Sequence, residues 1–338
     1  MNVRRLIPTV AVASATVLGL TALSACSSSS AADKDGDGKL NVTASFYPMQ
    51  YLAQEIGGEH VSVDTLTKPG VEPHDLELSP RQTAELGESD FILYLKGIQP
   101  AVDDAIGQSG VKNTVDAAKL TKLEEHGTGV GHDHGHEDEE HSEKHSEEHS
   151  DEHSEEEEHG HEGEAGADPH IWLDPVKYAE VAEGVGKAME KADPDHAAAY
   201  EKNTKALVKK LDALNTKFEG GLKNTKTKTF ITTHSAFGYL AERYGLDQEG
   251  IAGIDPESDP SPARIKELQD IAKKDDVSTV FFETLASDKT AKTLASDANL
   301  KTDVLDPLEG ITDKSKGDDY IGVMESNLAA LQKALGAK

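Results

Sequence analysis

DHAAAYEKNTKALVKKLDALNTKFEGGL, residues 195–222, reads as one helix dominated by Ala, Leu and Lys, which lose little on becoming helical. Some 28 residues at about 1.5 Å each span about 40 Å. That is long for a helix inside one compact body, and its simplest use is to connect two lobes. Asp193-Pro194 separates it from a preceding helix over Val176–Lys191. On the amino-terminal side, Leu40–Phe46, Val61–Leu66 and Phe91–Leu95 read as strands, with helices over Pro48–Gly57 and from Ser79-Pro80 to Gly87. On the other side, strands over Thr229–Thr232, Val280–Phe282 and Thr302–Leu305 alternate with helices over Ala236–Tyr244, Ala263–Lys274 and Lys289–Ala298, and Asp319–Leu335 closes the chain as a helix. Strands alternating with helices imply parallel βαβ units. The fold expected is α/β: two Rossmann-like lobes joined by a long rigid helix, with the ligand in the interlobe cleft beyond the carboxyl ends of the strands.

The ends and the middle read differently. Residues 1–26 have Arg4 and Arg5, an apolar run from Leu6 to Leu23, and Leu23-Ser24-Ala25-Cys26. This is the pattern of an export signal closed by a lipobox, with Cys26 the lipidated residue. The run is near the lower limit for spanning a bilayer and stops at the chain's one cysteine, which favours a signal over a membrane anchor. With Cys26 committed to lipid, no disulfide, thiolate metal site or cysteine nucleophile is available. Residues 27–39 form a Ser-, Asp- and Gly-rich tether. Its Asp33–Gly38 stretch resembles an EF-hand start, but Ala44 stands where calcium needs a carboxylate. The formal net charge is −29, which argues against a nucleic-acid partner. Most of it is local: Glu124 to Glu164 holds 18 acidic residues against one lysine. The boundaries expected are an amino-terminal lobe at 40–125 and 168–194, a disordered acidic loop at 126–167, the connecting helix at 195–222 and a carboxyl-terminal lobe at 223–338.

Five histidines lie outside that loop. His60 and His196 read as surface residues. His74, His170 and His234 each sit where a strand or loop meets the next element, and Asp306 repeats the arrangement after Val304-Leu305. Three imidazoles and a carboxylate suit a tetrahedral zinc site, although imidazole also suits copper, iron and nickel. Glu283, at a strand end, could serve as the general base of a zinc hydrolase.

From Val42 to Leu335 the chain resembles the ZnuA-like, or cluster A-I, solute-binding lipoproteins of bacterial ABC importers for zinc and manganese. The segments that carry the resemblance are Ala44–Pro48, Gly70-Val71-Glu72-Pro73-His74-Asp75, Asp168-Pro169-His170-Ile171-Trp172-Leu173-Asp174-Pro175, Thr233–Leu240 and Leu305-Asp306-Pro307-Leu308. It implies metal ligands at His74, His170, His234 and Asp306, with Glu72 or water as alternatives for the last. It also implies a monomer that is no enzyme, held by lipid on the outer face of the cell membrane, with an ABC permease as partner. In this family a histidine at the third ligand position goes with zinc and a glutamate with manganese, so His234 favours one buried Zn2+. Similar histidine-rich loops occur mainly in the zinc members. Here the loop carries His132, His134, His136, His141, His145, His149, His153, His159 and His161, expected to hold further ions weakly. A manganese receptor, a zinc hydrolase, and an adhesin or zinc buffer working without an importer are the alternatives.

Overall fold

In a computed structural model the described residues are 38–126 and 167–337. The export signal with Cys26, the tether up to residue 37 and the nine loop histidines lie outside them.

The amino-terminal lobe is built from β1 (Leu40–Ala44), α1 (Tyr47–Gly57), β2 (Val61–Thr65), α2 (Pro80–Leu86), β3 (Phe91–Tyr94), α3 (Pro100–Ser109), β4 (Thr114–Asp116) and α4 (Pro175–Ala192). Next come the connecting helix α5 (Ala197–Leu222), β5 (Thr229–Thr232), α6 (Gly238–Tyr244), β6 (Asp247–Gly250), α7 (Pro262–Lys274), β7 (Thr279–Phe282), α8 (Lys289–Ala298), β8 (Lys301–Val304) and α9 (Tyr320–Leu335). Each lobe holds a four-stranded, all-parallel sheet, in the orders β2-β1-β3-β4 and β6-β5-β7-β8. The strand order reverses between β1 and β3 and again between β5 and β7. Such points open a crevice at the carboxyl ends, where ligands bind.

The inner strands β3, β5 and β7 are buried on both faces, as parallel strands under helices are. Successive residues go to opposite sides. Phe91 and Leu93 of β3 join the central core while Ile92 joins an outer cluster with Leu86, Val102 and Ile106. Phe230 and Phe281 likewise face the central core, and Ile231 and Val280 an outer one under α7 and α8. The central core runs unbroken through both lobes, from Leu40 to Leu335. The connecting helix supplies its spine: Tyr200, Thr204, Leu207, Leu211, Leu214, Phe218 and Leu222 are buried, at steps of three and four that keep them on one face. That face packs on α1 and α4 of one lobe and α9 of the other. Burying each of its large apolar side chains contributes about 1.5–3 kcal/mol, so the link between lobes is part of the core.

Three elements departed from the sequence reading. α3, β4 and β6 were not anticipated. β4 is three residues long, β6 is the polar stretch Asp-Gln-Glu-Gly at a sheet edge, and α3 buries only Val102 and Ile106. None carries enough apolar periodicity to announce itself. His126 was expected inside the disordered segment. It is held on both sides by carboxylates, Nδ1 against Asp168 Oδ2 and Nε2 against Glu242 Oε2, each at 2.9 Å. His60 and His196 are partly buried, their rings stacked with centroids 4.1 Å apart.

Candidate metal centre

Four elements converge on one point in the cleft. His74 lies in the loop after β2, His170 just before the short 3-10 turn Ile171–Leu173, His234 two residues after β5, and Glu309 in the segment after β8. Their ligand atoms lie within 4.8 Å of one another. Glu309 Oε1 stands 3.3 Å from His74 Nε2, 3.4 Å from His170 Nε2 and 3.2 Å from His234 Nε2. Two ligands each about 2.0–2.1 Å from a tetrahedral zinc stand about 3.3–3.4 Å apart, so the observed spacing is the edge of such a tetrahedron. His170, His234 and Glu309 are fully buried and His74 nearly so, its side chain 8% exposed. Despite the close approaches, His170 Nε2, His234 Nε2 and Glu309 Oε2 have no hydrogen-bond partner among the described residues. Buried polar atoms without partners are costly, and two such imidazole nitrogens facing the Glu309 Oε1 carboxylate oxygen mark a place built for a cation.

The rings are aimed from behind. Asp168 Oδ1 lies 2.7 Å from His170 Nδ1 and also accepts the His170 backbone N–H. Glu283 Oε1 lies 2.7 Å from His234 Nδ1 and accepts the His234 backbone N–H and the Thr233 hydroxyl. β5 and β7 flank the switch point, so His234 and Glu283 meet across it. A carboxylate that accepts a hydrogen bond from Nδ1–H fixes the tautomer with the Nε2 lone pair free for a metal and raises its basicity. Glu283 therefore stands behind His234, on the side away from Glu309. Glu283→Ala is expected to weaken metal binding about 10- to 100-fold by freeing the ring. Competition with a calibrated chelator checks this, and unchanged affinity would show that the ring needs no such support.

The charge balance fits the same arrangement. Burial opposes a charged imidazole at His234, but Glu283 and Glu309 outweigh it and hold its pKa well above the ordinary histidine range. Burial likewise opposes charge at His170, and Asp168 outweighs it, so that pKa is raised too. Burial alone would raise Glu309, yet the surrounding histidines keep it well below the usual carboxylate range. The cleft thus already holds one carboxylate charge against imidazoles that pull protons in when no metal is present.

Asp306, expected as the fourth ligand, is not in the group. Its Oδ1 accepts the Leu308 N–H at 2.9 Å, and its Oδ2 accepts hydroxyls from Ser315 at 2.8 Å and Thr284 at 3.2 Å. The chain turns at Leu308 and brings Glu309, three residues on, into the place Asp306 was expected to take. Glu72, the other alternative, spends Oε1 on the His74 backbone N–H at 2.8 Å and is also outside the group. Burial, and then the charge of Glu309, push its pKa up to about 8. A second, half-exposed group, Glu124, His126 and Glu242, lies beside the first. Asp168 touches both, with Oδ1 on His170 and Oδ2 on His126.

Residues 42–334 match the family model for the periplasmic component A of the zinc-uptake complex. The chain belongs to this family. Among the ZnuA-type relatives, the high-affinity zinc uptake system protein ZnuA of Bacillus subtilis is 36% identical over 331 residues, covering 94% of each chain. The zinc-binding lipoprotein AdcA of Streptococcus pneumoniae is 36% identical over 321 residues, 92% of this chain but 58% of that protein. The chain thus spans little more than half the length of the AdcA relatives it matches. The Zn(II)-bound ZnuA-like domain of the same AdcA superposes with a TM-score of 0.68 at 32% identity, covering 88% of this chain and 99% of that one. The two-lobed ZnuA-type fold is therefore the fold of this chain. The structure brings the three expected histidines together with Glu309, which the sequence reading did not single out. The available signal was a second acid in Leu305-Asp306-Pro307-Leu308-Glu309-Gly310, five residues beyond the end of β8.

Proposed function

We propose that this chain is an extracytoplasmic receptor that captures Zn2+ and delivers it to an ABC-type importer in the cytoplasmic membrane, held at the surface by lipid on Cys26. The observation that carries the reading is the meeting of three imidazole nitrogens with one carboxylate oxygen at tetrahedral spacing. A donor set richer in nitrogen than oxygen suits zinc better than manganese or calcium. The names of the relatives support the same cargo. Burial of the four side chains suits tight capture, and His74, the most exposed of them, suits the point of entry. Release then requires the lobes to part, since His74 and His170 belong to one and His234 and Glu309 to the other.

A hydrolase needs an open coordination position with a base beside it. Glu283 lies behind His234, with three donors on Oε1, and offers no base to water on the metal. The test is growth and zinc-65 uptake of a strain lacking this chain, in chelated medium. Uptake should fall and recover with added zinc or with the wild-type gene. Uptake equal to the parent's under scarcity would overturn the assignment.

A further inference from the structure

We propose that Asp306 is a positioning residue for Glu309: its buried carboxylate holds the turn through Leu308 that aims Glu309 at the three histidines. The inference rests on reading Glu309 as the fourth ligand.

Leu308 is the observation that demands an explanation. Its φ is +60°, the left-handed region, and it is neither glycine nor asparagine. An L-residue with a Cβ avoids that region unless the surroundings hold it there. No side chain of its own can do so, because leucine makes no hydrogen bond. The holding group is Asp306, two residues back, whose Oδ1 accepts the Leu308 N–H at 2.9 Å. The rest of the segment is pinned just as tightly. Asp306 exchanges two hydrogen bonds with the Asn327 amide of α9, its N–H to Oδ1 at 2.9 Å and its carbonyl from Nδ2 at 2.7 Å. The Pro307 carbonyl accepts the Trp172 indole N–H from the other lobe at 2.7 Å. Thr284 and Ser315 fix Asp306 Oδ2, so the carboxylate cannot turn away from Leu308.

Both Asp306 oxygens are therefore engaged in building the turn, and neither belongs to the convergent group. If Leu308 relaxed to a right-handed or extended conformation, the Glu309 side chain would leave the direction of His74, His170 and His234. An aspartate at the end of β8 then serves the site through the backbone, and the following glutamate supplies the charge.

The test separates holding from ligating. In Asp306→Asn the side-chain oxygen can still accept the Leu308 N–H, and the amide can donate to Thr284 or Ser315. Zinc affinity of the full chain, measured by chelator competition at one equivalent of metal, is expected to stay within about fivefold of wild type, the loss reflecting one removed charge. Asp306→Ala removes the acceptor and is expected to weaken binding about 10- to 100-fold. The Co2+-loaded Ala variant should also lose the intense visible absorption of a tetrahedral site, a change that general destabilisation of the metal-free fold would not cause. An Asn variant that loses as much affinity as Ala would overturn the inference, as would an Ala variant that binds like wild type. The Asn result decides between holding and ligating even if the Ala variant does not accumulate. Glu309→Gln is the separate control: if it binds zinc like wild type, the reading of the site itself falls.

Discussion

His234→Ala is expected to weaken zinc binding on the order of a hundredfold or more. A buried zinc held by four protein ligands is worth about 10–16 kcal/mol, so one ligand's share is about 3 kcal/mol, and each 1.4 kcal/mol is tenfold in affinity. Two further losses follow from the geometry. Glu283 is buried with its Oε1 aimed at His234 Nδ1, and without the ring it becomes a buried carboxylate short of a donor. Glu309 also loses the neighbouring His234 charge that does most to hold it ionised. Chelator competition measures the affinity, and the melting temperature of the metal-free variant shows whether the fold persists. Near-wild-type affinity in a folded variant would mean the tight site is elsewhere in the chain.

The second large effect is on acid release. Zinc binds neutral imidazole, so each proton held by the free site must leave before the ion enters. His170 and His234 are both raised above the ordinary histidine value, because Asp168, Glu283 and Glu309 outweigh the burial that opposes their charge. The sign follows directly. A raised pKa means the free site still carries protons at pH values where an ordinary histidine has lost them. Affinity should therefore begin to fall on acidification already above about pH 6.5, higher than unperturbed histidines would give. Each displaced proton adds a tenfold loss per pH unit, so with two such histidines the slope should reach between one and about two decades per unit. Zinc affinity titrated from pH 8 to 5.5 checks this. A flat profile across that range would contradict imidazole ligation at the tight site.

Much of the architecture was legible in the sequence because parallel strands must be apolar on both faces. Phe91–Tyr94, Thr229–Thr232 and Thr279–Phe282 announce themselves as short apolar runs between helices. The connecting helix was equally plain from Tyr200 to Leu222, whose buried positions recur every three or four residues. Edge strands escape this logic. Asp247–Gly250 has little to bury and is a strand because β5 lies beside it, which no local pattern reports.

The site divides in the same way. His74, His170 and His234 stand out because each follows a strand or a loop entering the cleft, and because histidine is scarce outside the acidic loop. The carboxylate that meets the three histidines is Glu309, three residues beyond Asp306. Asp306 looks like a ligand, since it follows a strand and precedes proline. What displaces it is the left-handed Leu308, and leucine is the wrong residue from which to foresee a left-handed turn. The role of Asp168 was hidden for another reason. It lies two residues before His170, and only a folded backbone shows that its carboxylate curls back onto that ring.

The most direct measurement is the anomalous diffraction of the zinc-loaded protein at the zinc absorption edge. The account predicts a strong peak between the lobes, about 2.0–2.1 Å from Nε2 of His74, His170 and His234 and from a carboxylate oxygen of Glu309, with Asp306 turned to Leu308. A crystal with zinc bound elsewhere and these four side chains pointing apart would contradict it.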